Sequence, residues 1–215
     1  MEINKKMIPC DCENASCKEF ASCCFVATEV VRVTSGEDDP VHLMFVGQGA
    51  GKDEDINMNP KNTLRQPFVG KAGAYLRNMI KFLWDNSVFV NVAISNSVRF
   101  HPRDGLGKDR APTDDELGGC ICLLNRDIEL IKPKALVSLG ASTSNALAPA
   151  TIGLSMGKTI GTSYIYKGIK VIPLYHPSFL TRCYGKFTPG QRGEYHVKCV
   201  NILKDTALDA LGQGI

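Results

Sequence analysis

Short apolar runs of strand type alternate along this chain with stretches of helical periodicity, and that alternation most constrains the fold. VHLMFVG (41–47), VFVNVAIS (88–95) and KALVSLG (134–140) read as buried strands, and SYIYKGIKVIPLY as a hairpin feeding a last core strand. Between the first two, Gly70 to Asp85 carries apolar residues at helical spacing: Ala72, Leu76, Met79, Ile80 and Leu83. TDDE at 113–116 reads as a capping box, with Thr113 as N-cap and Glu116 reaching back, opening a helix that stops before Pro133. ASTSNALAP is a short helix, and YHVKCVNILKDTALDALG an amphipathic one at the C-terminus. Strands alternating with helices predict an α/β fold with a mainly parallel sheet.

Residues 1–40 read differently. They hold Cys10, Cys12, Cys17, Cys23 and Cys24, five of the nine cysteines, and end in TSGEDDP. The expected organisation is a Cys-rich, irregular appendage over 1–40 and an α/β domain over 41–215. MEINKKMIPCDC has no apolar core of signal-peptide length, and no run of about 18 apolar residues exists anywhere. An intracellular protein, cytoplasmic or nucleoid-associated and without a membrane span, is therefore expected. Crowded thiols in such a compartment point to metal or cluster ligation rather than disulfides. The net charge of +3 is unevenly spread. From Lys158 to Lys204 eight bases face the single acid Glu194, which favours a polyanion approaching the C-terminal part.

In a parallel sheet the ligand sits outside the carboxyl ends of the strands. Three strands end in chemically loaded loops: GQGAGKDED, NSVRFHP and HPSFLTR, with PFVGKAG between the first two. LYHPSFLTR (174–182) places His176, Ser178 and Arg182 together directly after a strand. Pro177 restricts His176 to extended backbone, which aims the imidazole. Four loops can thus converge on one pocket.

These stretches, in this order, resemble the uracil-DNA glycosylase superfamily, and within it the iron–sulfur, thermostable-type branch called family 4. That branch has GEAPG followed by acids where this chain has GQGAGKDED. It has PFVGRAG where this chain has PFVGKAG (67–73), TNVVKCRPP for SNSVRFHPR (95–103), and YHPAYLLR for YHPSFLTR. The resemblance covers roughly residues 41–205. It implies a three-layer α/β/α fold around a central, mainly parallel four-stranded sheet, and hydrolysis of the bond between uracil and deoxyribose in DNA, as in base excision repair. Uracil-containing DNA is the implied partner, with a replication or repair protein as a further one.

The reaction extrudes the base from the stack and develops negative charge on it. His176 is the natural donor at uracil O2. Asn96 presents one acceptor and one donor group, matching uracil N3–H and O4 and mismatching cytosine. Phe68 stacks on the ring, and Gly47 and Gln48 lie against it. Glu54 is the first candidate for orienting the water, and Asp55 the second. Ser178 and Arg182 are candidate phosphate contacts, and Phe179 or Leu180 a candidate wedge. Two departures stand out. Gln48 replaces the Glu of this branch, and Ala50 replaces its Pro. Phe100 replaces a cluster cysteine, and no N-terminal CxxC exists. An altered [4Fe–4S] set of Cys12, Cys17, Cys23 and Cys120 is the expectation, with zinc or no metal as the alternatives. Two other functions fit the sequence: a glycosylase-like DNA-binding or scaffold subunit of a replication or transcription complex, and a redox or metal-sensing domain.

Overall fold

Each central strand is apolar on both faces because helices cover both. In the computed structural model, residues 3–9, 26–33, 36, 38–148, 156–182 and 189–214 are described. Seven strands form one sheet: β1 (Asn4–Ile8), β2 (Thr28–Arg32), β3 (Leu43–Gly49), β4 (Val92–Val98), β5 (Ala135–Leu139), β6 (Tyr164–Tyr166) and β7 (Ile169–Leu174), in the order β1-β2-β4-β3-β5-β7-β6. The pairs β4·β3, β3·β5 and β5·β7 are parallel. The expectation of four strands therefore describes only the parallel centre. Three antiparallel strands extend it: β6 as the hairpin partner of β7, and β1 and β2 on the far edge. Residues 4–8 and 28–32 thus belong to the sheet, although the stretch reads as irregular. They were missed because each run is short and the cysteine-rich segment 10–25, outside the described residues, separates them.

Alternation along β3 sorts the core. Leu43 and Phe45 face one layer with Leu76, Met79 and Leu83 of α1 (Lys71–Asp85) and Leu203 and Ala207 of α6 (Pro189–Ala210). Met44 and Val46 face the other, with Leu124 and Ile128 of α2 (Asp114–Ile131) and Leu147 of α3 (Ala141–Leu147). The two remaining helices, α4 (Met156–Thr159) and α5 (Pro177–Arg182), are short. The capping box forms as read: Thr113 Oγ1 accepts the Glu116 N–H at 3.2 Å, and Glu116 Oε2 accepts the Thr113 N–H at 2.8 Å. The C-terminal helix begins six residues before the expected Tyr195. Gly190 and Gly193 blur its first turns, while Pro189 suits a first helical position.

A buried ion pair fastens β2 and β4 to α2. Arg99, just past β4, donates to Asp127 Oδ2 at 2.5 Å and to Thr28 Oγ1 at 2.6 Å, and Thr28 in turn donates to Asp127. Such a group is retained only with its hydrogen bonds satisfied. No helix among the described residues is long and apolar enough to cross a membrane.

Candidate active site

The strand order reverses at β3, so crevices open on either side of its carboxyl end. Gly47 and Asn96 are opposite each other in the β3–β4 register. Asn96 is 2% exposed, and its Oδ1 has no hydrogen-bond partner among the described residues. A buried acceptor left unpaired is costly and calls for an explanation. A Cβ on Gly47 would collide with that oxygen and with the Phe68 ring. Glycine here lets amide and ring approach the same strand.

Phe68 is buried and has a φ of 55°, a conformation that costs a non-glycine residue of order 1–3 kcal/mol. The preceding loop holds it there. Asn62 accepts the Gln66 N–H at 2.9 Å and donates to Gln66 O at 3.1 Å. Arg77 of α1 donates to Pro67 O at 3.1 Å and pairs with Glu29 of β2, whose other oxygen accepts from Gln66 Nε2 at 2.8 Å. Glu29 is fully buried. Its role was missed because nothing in TEVVR names a partner so distant in sequence.

His176 follows β7. The Ser178 N–H donates to its Nδ1 at 3.1 Å, and the Ser178 hydroxyl lies 2.8 Å from the same nitrogen. A backbone N–H can only donate, so Nδ1 is an acceptor and a neutral ring carries its hydrogen on Nε2. The imidazole is thereby a preset donor. Gly140, at the end of β5 with a φ of 90°, passes close behind it; a Cβ there would sit 3.1 Å from that of His176. The rings of His176 and Phe68 are 6.0 Å apart between centroids.

One cavity of about 280 Å³ is lined by Asn96, Phe68 and His176 together, with Asp53, Glu54 and Ser178. A smaller one of about 130 Å³ adjoins it, sharing His176, Ser178 and Asp109, and takes in Gln48. Glu54 reaches the main cavity, but its oxygens are engaged. Oε2 accepts the Gly51 N–H at 2.8 Å; Oε1 accepts the Val69 N–H at 2.8 Å and the Gly70 N–H at 3.4 Å. Asp55 is turned away, accepting the Asn57 N–H at 2.9 Å and lying 3.5 Å from His101. Asp53, passed over in sequence because its neighbours matched better, is the carboxylate that lines the cavity with no hydrogen bond among the described residues.

The segment after His176 is a helix, α5, not a loop. Pro177 at its first position was the readable sign. Coiling turns Phe179 onto Tyr175, stacked at 4.9 Å, and buries Leu180 in the core, so neither stands at the cavity mouth as a wedge. Ser178 sits at the cavity but is occupied with His176. The Arg182 side chain lies outside the described residues, as do Cys10, Cys12, Cys17, Cys23 and Cys24. Cys120 is buried against Val98, Phe100 and Leu123. Where the family places a third cysteine, the Phe100 ring fills the space. The residues flanking the cysteine-rich segment are tied to α2 at one end and to the end of β4 at the other: Pro9 O accepts from Arg126 at 3.0 Å, and the Val26 N–H donates to Arg99 O at 2.8 Å. A set of soft thiolates that includes Cys120 would suit an iron–sulfur cluster or zinc. Among the described residues no group of three potential ligands forms.

Residues 34–204 match the profile described as the uracil DNA glycosylase superfamily. The chain belongs to that superfamily. It is 34% identical over 154 residues to the type-4 uracil-DNA glycosylase of Sulfurisphaera tokodaii, covering 66% of this chain and 63% of that protein. It is 32% identical over 142 residues to the Thermotoga maritima protein of the same name, covering 65% and 66%. With the Archaeoglobus fulgidus type-4 enzyme the identity is 29% over 189 residues, 85% and 84% of the two chains. The chain thus spans somewhat under two thirds of the first two of these superfamily relatives.

Proposed function

We propose that this chain is a DNA glycosylase that hydrolyses the N-glycosidic bond of deoxyuridine extruded from DNA, an activity of base excision repair inside the cell. The observation that carries the reading is the unpaired Asn96 Oδ1, buried in one cavity with the Phe68 ring and the His176 imidazole. Asn96 Oδ1 accepts uracil N3–H, and its Nδ2 donates to O4. Cytosine offers the reverse pattern and leaves both amide groups unpaired, which a buried site rejects strongly. Phe68 stacks on the ring. As the glycosidic bond breaks, the electron pair moves into the base, and His176 Nε2–H stabilises the charge at O2. Removing one such donor typically costs 10²–10³ in rate. Asp53 orients the water and offsets the positive charge on the sugar; Glu54 shapes the loops that hold both. The superfamily membership and the activity for which the relatives are named support the same reading. Cys120 with Cys12, Cys17 and Cys23 would hold a [4Fe–4S] cluster, which supplies a structural tie to the N-terminal segment and no electron to the reaction.

Single-turnover excision on uracil-containing oligonucleotides tests the proposal. The wild type releases uracil and leaves abasic product; Asn96→Ala and His176→Ala each lose at least about 10²-fold. Absence of abasic product from both the single- and the double-stranded substrate overturns it in favour of a DNA-binding subunit without activity.

A further inference from the structure

The stretch between β4 and α2 carries one large apolar side chain at its tip. Leu106 is 83% exposed. A lone exposed leucine is ordinary; the way this one is held is not. Asp104 Oδ1 accepts the Leu106 N–H at 2.9 Å and the Lys108 N–H at 2.8 Å. The Asp104 N–H donates to Lys108 O and the Gly107 N–H to Asp104 O, both at 2.9 Å. Below the tip, Arg103 and Asp109 form an antiparallel bridge, and Arg110 Nε donates to Arg103 O at 2.9 Å. A Cβ added at Gly105 or Gly107 would meet nothing within 4 Å, so the tip stands clear of the other described residues. An apolar group is thus presented to solvent on a preordered support.

The base of this hairpin is the wall of the cavity. Asp109 lines both cavities with His176 and Ser178, and His101 Nε2 holds its carboxylate at 2.8 Å. Two residues separate it from Leu106, which keeps the two Cα atoms within about 10 Å of each other. Lys108 and Arg103 flank the tip, and Lys52 and Lys71 line the cavity. The charges around the tip are mixed, Arg103 and Lys108 beside Asp104 and Asp109, so it is the ordered apolar point next to a cavity large enough for a pyrimidine that suits the stacked interior of a duplex.

Resting on the glycosylase reading, we propose that Leu106 is a wedge that enters the base stack of duplex DNA at the gap left by the extruded nucleotide. Apolar side chains inserted between base steps act this way in other DNA-binding proteins. The wedge replaces stacking lost by the neighbouring pairs and delays return of the base. A single strand has no such gap to fill, so the contribution is specific to duplex.

Two measurements on the full chain test this: single-turnover excision from single- and double-stranded uracil substrates, and affinity for a duplex holding a tetrahydrofuran abasic analogue against the undamaged duplex. Leu106→Ala is expected to lower duplex excision and gap-duplex affinity by about tenfold or more, leaving single-strand excision unchanged. Leu106→Met is expected to restore most of the loss. Equal loss on both strand forms, or no loss on either, overturns the wedge. If the wild type cuts neither strand form, the glycosylase reading fails, and the ratio of gap-duplex to intact-duplex affinity in Leu106→Ala still decides the wedge.

Discussion

Replacing Glu54 with Gln separates a structural carboxylate from a catalytic one. Its two oxygens bridge the loop after β3 and the loop that enters α1, through short bonds from the Gly51 and Val69 amides. Glutamine keeps one acceptor and turns an NH₂ group toward the other amide. One charge-assisted bond is lost, about 1.5–3 kcal/mol, and the other falls from charged to neutral, about 1 kcal/mol. The sum, about 3 kcal/mol, corresponds to a fall in melting temperature of about 6–12 °C for a domain of this size. Calorimetry measures that fall, and hydrogen exchange over residues 49–55 and 66–72 shows whether the two loops loosen together. Excision at a temperature well below the melting point is expected to stay within about tenfold of wild type, because neither oxygen is available to a water. Unchanged melting and exchange with a loss of 10²-fold or more would refute this reasoning and make Glu54 the group that orients the water.

Gly47→Ala places a methyl group against Asn96 Oδ1 and the Phe68 ring. Its effect is expected in KM more than in folding, read from steady-state excision, since overpacking displaces the two groups that hold the base. Stability should fall on mild acidification because of His42. Burial and the nearby Lys134 depress its pKa below the ordinary 6.5, although Asp39 opposes them, and its Nδ1 accepts the Asn91 N–H at 3.0 Å. The unfolded chain then binds the extra proton first. This contribution is full above about pH 6.5 and is lost as the pH falls from there through the depressed value. Urea midpoints at pH 7.5 and 5.5 should differ more for the wild type than for His42→Asn, whose Oδ1 keeps an acceptor for Asn91.

What the sequence made legible is what periodicity and adjacency encode. The parallel strands, α1 and the capped α2 follow from apolar spacing and the Thr113–Glu116 box. The convergence of Gly47, Phe68, Asn96 and His176 follows from four loops leaving one end of a parallel sheet. What was not legible depends on turns of a helix or on distant partners. Whether Phe179 and Leu180 point outward or inward is decided by α5 coiling after Pro177, and six residues carry too little period to show it. Glu54, Asp53 and Asp55 are indistinguishable in a string of acids. Only the close approach of the Gly51 and Val69 amides separates them. Glu29 and Gln66 are 37 residues apart, and no local pattern announces their contact.

The central claim is that Asn96 and His176 grip one pyrimidine from two sides. Titrating free uracil into isotope-labelled protein and following the Asn96 side-chain amide and the His176 ring nitrogens tests it most directly. The account predicts that the Asn96 Nδ2 protons and the His176 Nε2–H shift together along one binding curve, with Nδ1 remaining an acceptor throughout. Movement of only one of the two, or a hydrogen on Nδ1 in the bound state, would contradict it.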